Sequence, residues 1–528
     1  MNHLTRGSKS FAAKTTGGLL LMMLACLPVS VFAHAKLIRS QPKAREALSQ
    51  APPLVELWFS EELEQGFNTI QVKDQQGKRV DRGEVTLSEE NKKAAVTVDG
   101  LGAGTYTVAW KVLSMDEHTL RGTFTFTVTQ GPAPAGTEAS PSNAAGGTGA
   151  GQATPQVFTV ESMPSAESGP GFEISPGQSA VRWLGYLAMM TLFGGFAFYL
   201  FVLAPALRQV GLVNGTNDAS AATAHRIVML SWVSVVMLAV TSFVALVFQA
   251  AAVFDKSVSQ SLSPSLLSQV IANTGYGGHW LLETISVLVL AAILVILSNR
   301  IKQSPEKGHK AIWWAGLVAS AVLLIAPSWT GHAVAAVKDY RLAIVTDWLH
   351  LLAGGFWVGG LFHLALTLPS AIGGFDRTPR VSLLSQVIWR FTRIAMPAVA
   401  LLVLAGLYNT WVHVPSLSGF WLTPYGKTLL LKLLFVGIML MLGGINNFHF
   451  GKRAALLSQM NSEGEDDAER GKLERSLARS VRLEATTGAI VLLITSALVF
   501  MMPARSHPAM TPVEHPVISS AGKGLASN

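Results

Sequence analysis

From about residue 180 onward the chain is dominated by apolar runs, centred near residues 194, 239, 288, 321, 355, 400, 437 and 492. Most are long enough to cross a bilayer, which takes about 20 apolar residues per helix, so about eight spans are expected. Helices satisfy their own backbone groups where no water can, and a polytopic all-α membrane domain follows. A composition of 50% hydrophobic and 14% charged residues excludes a purely soluble protein. Basic residues then set the orientation. Alternate connections hold Arg300, Lys302, Lys307, Lys310, Arg377, Arg380, Lys452, Arg453, Arg470, Lys472 and Arg475, whereas the intervening ones offer little beyond Lys256, Lys338, Arg341 and Lys427. The positive-inside rule puts the first set in the cytoplasm and both termini outside. The formal net charge of +8 is therefore a topology signal, and no nucleic-acid partner is implied.

Residues 1–33 carry Arg6, Lys9 and Lys14, an apolar run from Gly18 to Ala25, and Val31-Phe32-Ala33, the order of a secretory signal peptide. Cleavage before His34 makes that residue the new N-terminus, with an α-amine and an imidazole placed to chelate one ion. A cut a few residues away leaves His34 an ordinary exposed histidine. Leu24-Ala25-Cys26 faintly resembles a lipoprotein signal, although Met23 matches it poorly. Cys26, the single cysteine, falls within the leader, so any metal site in the mature chain uses nitrogen, oxygen or thioether donors. Residues 131–178, rich in Gly, Pro, Ala, Ser and Thr, read as a flexible linker. The membrane domain is expected over 179–503 and a periplasmic tail, with His507 and His515, over 504–528.

Between 34 and 130 the period is two: Leu54–Phe59, Thr69–Val72, Ala95–Val98, Thr105–Trp110 and Thr123–Val128 alternate apolar and polar residues between Gly and Pro turns. That pattern predicts an all-β antiparallel sandwich or barrel. Just beyond the fourth of these strands lies Ser114-Met115-Asp116-Glu117-His118. Residues two apart in an extended stretch share a side, so Asp116 and His118 converge. With the amine and imidazole of His34 they make three nitrogens and one oxygen, a set that favours Cu(II), though Zn(II) accepts the same donors. D-x-H alone is more often a surface loop; its force is the coincidence with an N-terminal histidine.

His34-Ala35-Lys36-Leu37 with Ser40-Gln41-Pro42, Phe59-Ser60-Glu61, and Ser114–His118 with Gly122–Phe126 resemble the CopC family of periplasmic copper proteins. The resemblance implies a Greek-key β-barrel with Cu(II) held by His34, Asp116 and His118, and an acidic residue, Glu61, near the metal. Some members add a methionine-rich Cu(I) loop; here Met115 is the only methionine of the mature β domain.

Charged and imidazole groups within spans mark function or satisfied internal pairs. His279 and Glu283 share a helix face, as do Asp347 and His350, while His332 and His413 close other spans. By alternation all lie toward the outer leaflet, where they are candidate copper ligands or an ion path. Taken singly each also suits a structural role: interfacial histidines cap helix ends, and Asp347 has Arg182 or Arg341 as candidate partners. His225, His363 and His449 read as unremarkable, Glu484 as an ion pair with Arg482, and Met189, Met190, Met439 and Met441 as packing. Tyr276–Trp280, Gly331-His332-Ala333, Asp347-Trp348-Leu349-His350 running to Leu361, Arg390–Arg393 and Tyr425-Gly426-Lys427 resemble the CopD family of copper-resistance membrane proteins, over about 180–503. Gly354-Gly355 and Gly359-Gly360 also suit close helix approach.

The leading expectation is a non-enzymatic copper-binding and copper-transport protein of a bacterial inner membrane. In it a β domain captures Cu(II) in the periplasm and delivers copper, as Cu(I) or Cu(II), to the membrane domain. The expected partners are copper ions, the lipid bilayer and periplasmic copper donors or acceptors. No P-loop or phosphorylatable-aspartate signature is found. Two alternatives stay open: a haem-containing membrane redox protein that reduces Cu(II), and a factor supplying copper to a partner enzyme without transport.

Overall fold

The computed structural model describes residues 37–115, 119–129, 176–211, 218–304, 309–329, 340–369, 377–414, 416–451, 456, 465–501 and 503–504. The expected leader, His34, Asp116, His118, His332, almost all of the linker and the tail lie outside these residues.

The N-terminal part is a sandwich of two four-stranded sheets, β1-β3-β6-β5 and β2-β8-β7-β4. The strands are β1 (Leu37–Gln41), β2 (Ala47–Leu48), β3 (Leu54–Phe59), β4 (Thr69–Lys73), β5 (Asp81–Ser88), β6 (Lys93–Val98), β7 (Gly104–Leu113) and β8 (Thr119–Val128). Period two works as expected: Val55, Leu57 and Phe59 of one sheet pack with Val108, Val112 and Phe126 of the other in one apolar core. β1, β2 and β5 escape the sequence pattern because they are short or lie mostly exposed at the sheet edges. β7 and β8 pair in unbroken register from Gly104↔Val128 to Leu113↔Thr119, so Ser114–His118 is the connection of a long hairpin.

Eight helices are long and apolar enough to cross a membrane: α1 (Pro176–Gln209), α2 (Thr223–Phe254), α3 (Gly275–Gln303), α4 (Lys310–Trp329), α5 (Arg341–Leu366), α6 (Arg380–His413), α7 (Pro424–His449) and α8 (Gly471–Leu498). The count agrees with the sequence. The first helix begins at Pro176, slightly before the expected boundary at 179, with proline in its first turn, where the missing N–H costs nothing. α1 is the hub and packs on α2, α4, α5 and α8. Its contact with α5 depends on glycine: a Cβ on Gly194 runs into the backbone of Gly359, and one on Gly359 into the carbonyl of Met190. Gly355 receives Phe193 and Gly360 receives Phe391 in the same way, so the glycine pairs do serve close helix approach. α6 and α7 are peripheral and bury 22% of their most apolar window, against 67% for α1 and α8. Their outer faces, carrying Leu404, Leu407, Trp411, Leu434 and Met441, require a lipid environment.

Candidate functional site

The turn of the β7–β8 hairpin is stitched to the segment after β3. Ser114 forms an isolated bridge with Leu63, the Met115 N–H donates to the Glu62 carbonyl (2.9 Å), and the Glu64 N–H donates to the Leu113 carbonyl (2.8 Å). The Ser114 hydroxyl donates to Glu61 Oε2 at 3.3 Å, which places Glu61 beside the end of β7. β1 starts opposite Phe59, at the end of its sheet where Ser60 and Glu61 follow. His34, Asp116 and His118 themselves fall outside the described residues.

This end of the sandwich rests on the connection between α2 and α3. Lys111 Nζ lies 2.8 Å from Asp255 Oδ2 and donates to the Val253 carbonyl at 2.5 Å. Arg121 takes the other oxygen of Asp255. Glu64 Oε1 accepts from the Gly275 N–H at 2.8 Å, and Phe67 meets Phe254 edge to face, with ring centroids 6.2 Å apart. Burial lowers Lys111 from the ordinary lysine value, and Asp255 partly restores it.

Beneath the contact is a cavity of about 130 Å³, walled by α1, α2 and α3. Thr119, the first residue of β8, lines it together with Arg182, Tyr186, Met189, His279 and Glu283. His279 and Glu283 thus share one wall, as their spacing predicts, with His279 edge-on to Tyr276 at 4.5 Å. Met189, expected to be simple packing, faces the same space.

Of the remaining membrane candidates, Asp347 and His350 lie on α5 and His413 at the end of α6. Asp347 takes a hydrogen bond from Asn409 Nδ2 (3.4 Å), and Lys432 of α7 is a lone basic residue within the same part of the bundle. His350 Nδ1 lies 3.2 Å from the Leu402 carbonyl and its ring packs on Gly406. His413 is edge-on to Tyr425 at 6.2 Å. Among the described residues no three His, Cys, Asp or Glu side chains converge as a metal cluster. Two other readings are settled. His363 is fully buried with Nδ1 on Thr367 Oγ1 (3.1 Å) and Nε2 on the Thr191 carbonyl (2.9 Å), a structural histidine. Glu484 bonds Asn446 Nδ2 at 2.6 Å across to α7, in place of the expected ion pair with Arg482, because it points into the bundle.

Sequence reasoning missed Lys432, although a lone lysine within the apolar run Thr428–Leu434 signals it. It also missed Glu64, Lys111, Arg121 and Asp255, which carry no local signal.

Three family descriptions cover most of the chain: CopC domain over 37–129, Copper resistance protein D-like, N-terminal domain over 173–339, and Copper resistance protein D over 385–498. The chain belongs to the CopC and CopD families, fused in one polypeptide. The chain is similar over nearly its whole length to the copper transport protein CutJ of Bacillus subtilis (strain 168), with 28% identity covering 94% of this chain and 79% of the relative. The CopD part is similar to copper resistance protein D of Pseudomonas syringae pv. tomato, at 29% identity over 59% of this chain and 92% of that protein. The CopC part is similar to copper resistance protein C of Xanthomonas campestris pv. juglandis, at 31% identity over 22% of this chain and 98% of that protein. In the CopC–CopD fusion Thr119 of the CopC domain thus lines a cavity of the CopD domain.

Proposed function

We propose that this CopC–CopD protein captures copper outside the inner membrane and passes it into the membrane domain for transport. The observation that carries the reading is the position of Thr119: it borders the turn holding the copper-type D-x-H and also lines the cavity that contains His279 and Glu283. His34, Asp116 and His118 are the proposed Cu(II) ligands, with Glu61 beside them. Met189, His279 and Glu283 then offer thioether, imidazole and carboxylate donors to the departing ion. A CopC domain held at the cavity mouth acts at high effective concentration. The periplasmic orientation is supported by the docking side, since the basic residues Arg300 and Lys302 sit at the far end of α3. The N-terminal leader, the inner-membrane location and the non-enzymatic character belong to the same proposal.

Copper uptake into vesicles containing the purified protein tests it. The parent accumulates copper, H118A loses both Cu(II) binding and uptake, and H279A with E283Q keeps Cu(II) binding but loses uptake. Intact Cu(II) binding with no uptake by the parent leaves only sequestration and overturns transport.

A further inference from the structure

We propose that the α2–α3 connection is a dedicated docking platform for the CopC domain, recognised by the capping of two helix ends, with Asp255 as the residue that decides specificity.

Asp255 is poorly suited to its own neighbourhood. It follows directly on Phe254, the last residue of α2, and has φ of 54°, the left-handed conformation that glycine or asparagine usually supplies at this position. It also brings a negative charge to the carbonyl end of a helix, where the dipole favours a cation. Lys111 and Arg121 are equally awkward in theirs. They are direct cross-strand partners in the β7–β8 ladder, and like charges in that relation repel. Docking resolves both conflicts at once. The two cations close on the two oxygens of the Asp255 carboxylate, and Lys111 also satisfies the Val253 carbonyl at the end of α2.

The start of α3 repeats the logic with opposite sign. Its N-cap residue, Thr274, makes no capping bond with its side chain, which donates backward to the Val270 carbonyl, and the first turn holds no acidic residue. The missing carboxylate comes from the CopC domain as Glu64, on the Gly275 N–H. One domain thus places a cation on the C-terminus of α2 and an anion on the N-terminus of α3, the arrangement that each dipole favours. Phe67 against Phe254 adds apolar contact beside them. α2 and α3 both wall the outer cavity, so the same contacts bring Thr119 onto it. In its functional meaning the inference rests on the hand-over reading above; as a statement about recognition it does not.

The test uses the full chain in membranes, in a Cys26→Ser background, with F67C and F254C joined by a short bismaleimide and the linked peptides quantified by mass spectrometry. Linkage is expected with Asp255 present, a fall of about tenfold or more in D255K through like-charge repulsion, and recovery when D255K is combined with K111E and R121E. Equal linkage in D255K and its parent, or no linkage in any background, overturns the platform. Copper accumulation measured on the same variants separates the two ideas: linkage that follows the charge pattern while accumulation stays constant supports the platform and removes the hand-over reading.

Discussion

Glu64 and Gly275 are 211 residues apart in the chain, yet the carboxylate of one accepts the backbone N–H of the other at 2.8 Å and begins a membrane helix. A capping contact of this kind stabilises by about 1 kcal/mol, roughly a fivefold effect on an equilibrium. Glu64→Ala is expected to speed hydrogen exchange at the first amides of α3 by about that factor, with Glu64→Gln recovering part of the protection. Unchanged exchange at Gly275–Gly278 in Glu64→Ala contradicts the capping role.

Lys111 gives a pH dependence of definite sign. Burial lowers it from the ordinary 10.5, so just below that value the folded chain holds fewer protons at this position than the unfolded chain. The contribution of this group to stability therefore rises with pH across that window. The midpoint of thermal unfolding of the parent is expected to gain on that of Lys111→Met as pH climbs from about 8 toward the lysine range. A difference that shrinks over this range contradicts the assignment.

Gly122 sits under the indole of Trp110, its cross-strand partner, where an added Cβ lies 2.6 Å from Trp110 Cε2. Trp110 is wedged edge-on against Phe59 with centroids 5.3 Å apart, so it has little room to retreat. Gly122→Ala is expected to cost about 2 kcal/mol and lower the melting midpoint of the CopC domain by roughly 10 °C. Calorimetry of the full chain reads this as a shift of the β-domain transition alone.

Gly359 meets the backbone of α1, which no rotamer change can relieve. Gly359→Ala is expected to destabilise the bundle by about 1–3 kcal/mol and to reduce the folded fraction recovered in detergent. Gly437→Ala, at a helix position with nothing within 4 Å, serves as the control and is expected to be neutral. Equal thermal stability of the two variants contradicts the tight α1–α5 contact.

Asp347 on α5 and Lys432 on α7 are an acidic and a basic side chain within apolar spans. Removing either partner leaves the other without its counter-charge in a low-dielectric site, so Asp347→Asn and Lys432→Met each destabilise. The double variant is expected to lose less than the sum, with a coupling of about 1 kcal/mol in a double-mutant cycle of thermal or denaturant unfolding. Strict additivity shows that the two charges do not interact.

Much of this was legible beforehand, and the reason differs by element. The eight spans follow from length and hydropathy, because lipid admits few ways to satisfy a backbone. Five strands follow from period two, because one face of each is buried; β1, β2 and β5 lack that asymmetry and stay silent. His279 with Glu283 follows from helical spacing. The hydrogen bond of Glu484 to Asn446 does not, since it depends on which helices are neighbours, and sequence order does not give packing order.

The amino-acid sequence by itself determined the two-part architecture, the membrane spans and the fusion of the two families, since each rests on composition, periodicity or a contiguous motif. Only the tertiary structure decided that Lys111 and Arg121 share Asp255, that Glu64 caps α3, and that Thr119 lines the cavity beside His279 and Glu283. Those relations join residues far apart in the chain, from Thr119 and Arg182 to Glu64 and Gly275. Strand register and helix packing create them, and neither leaves a local trace in the chain.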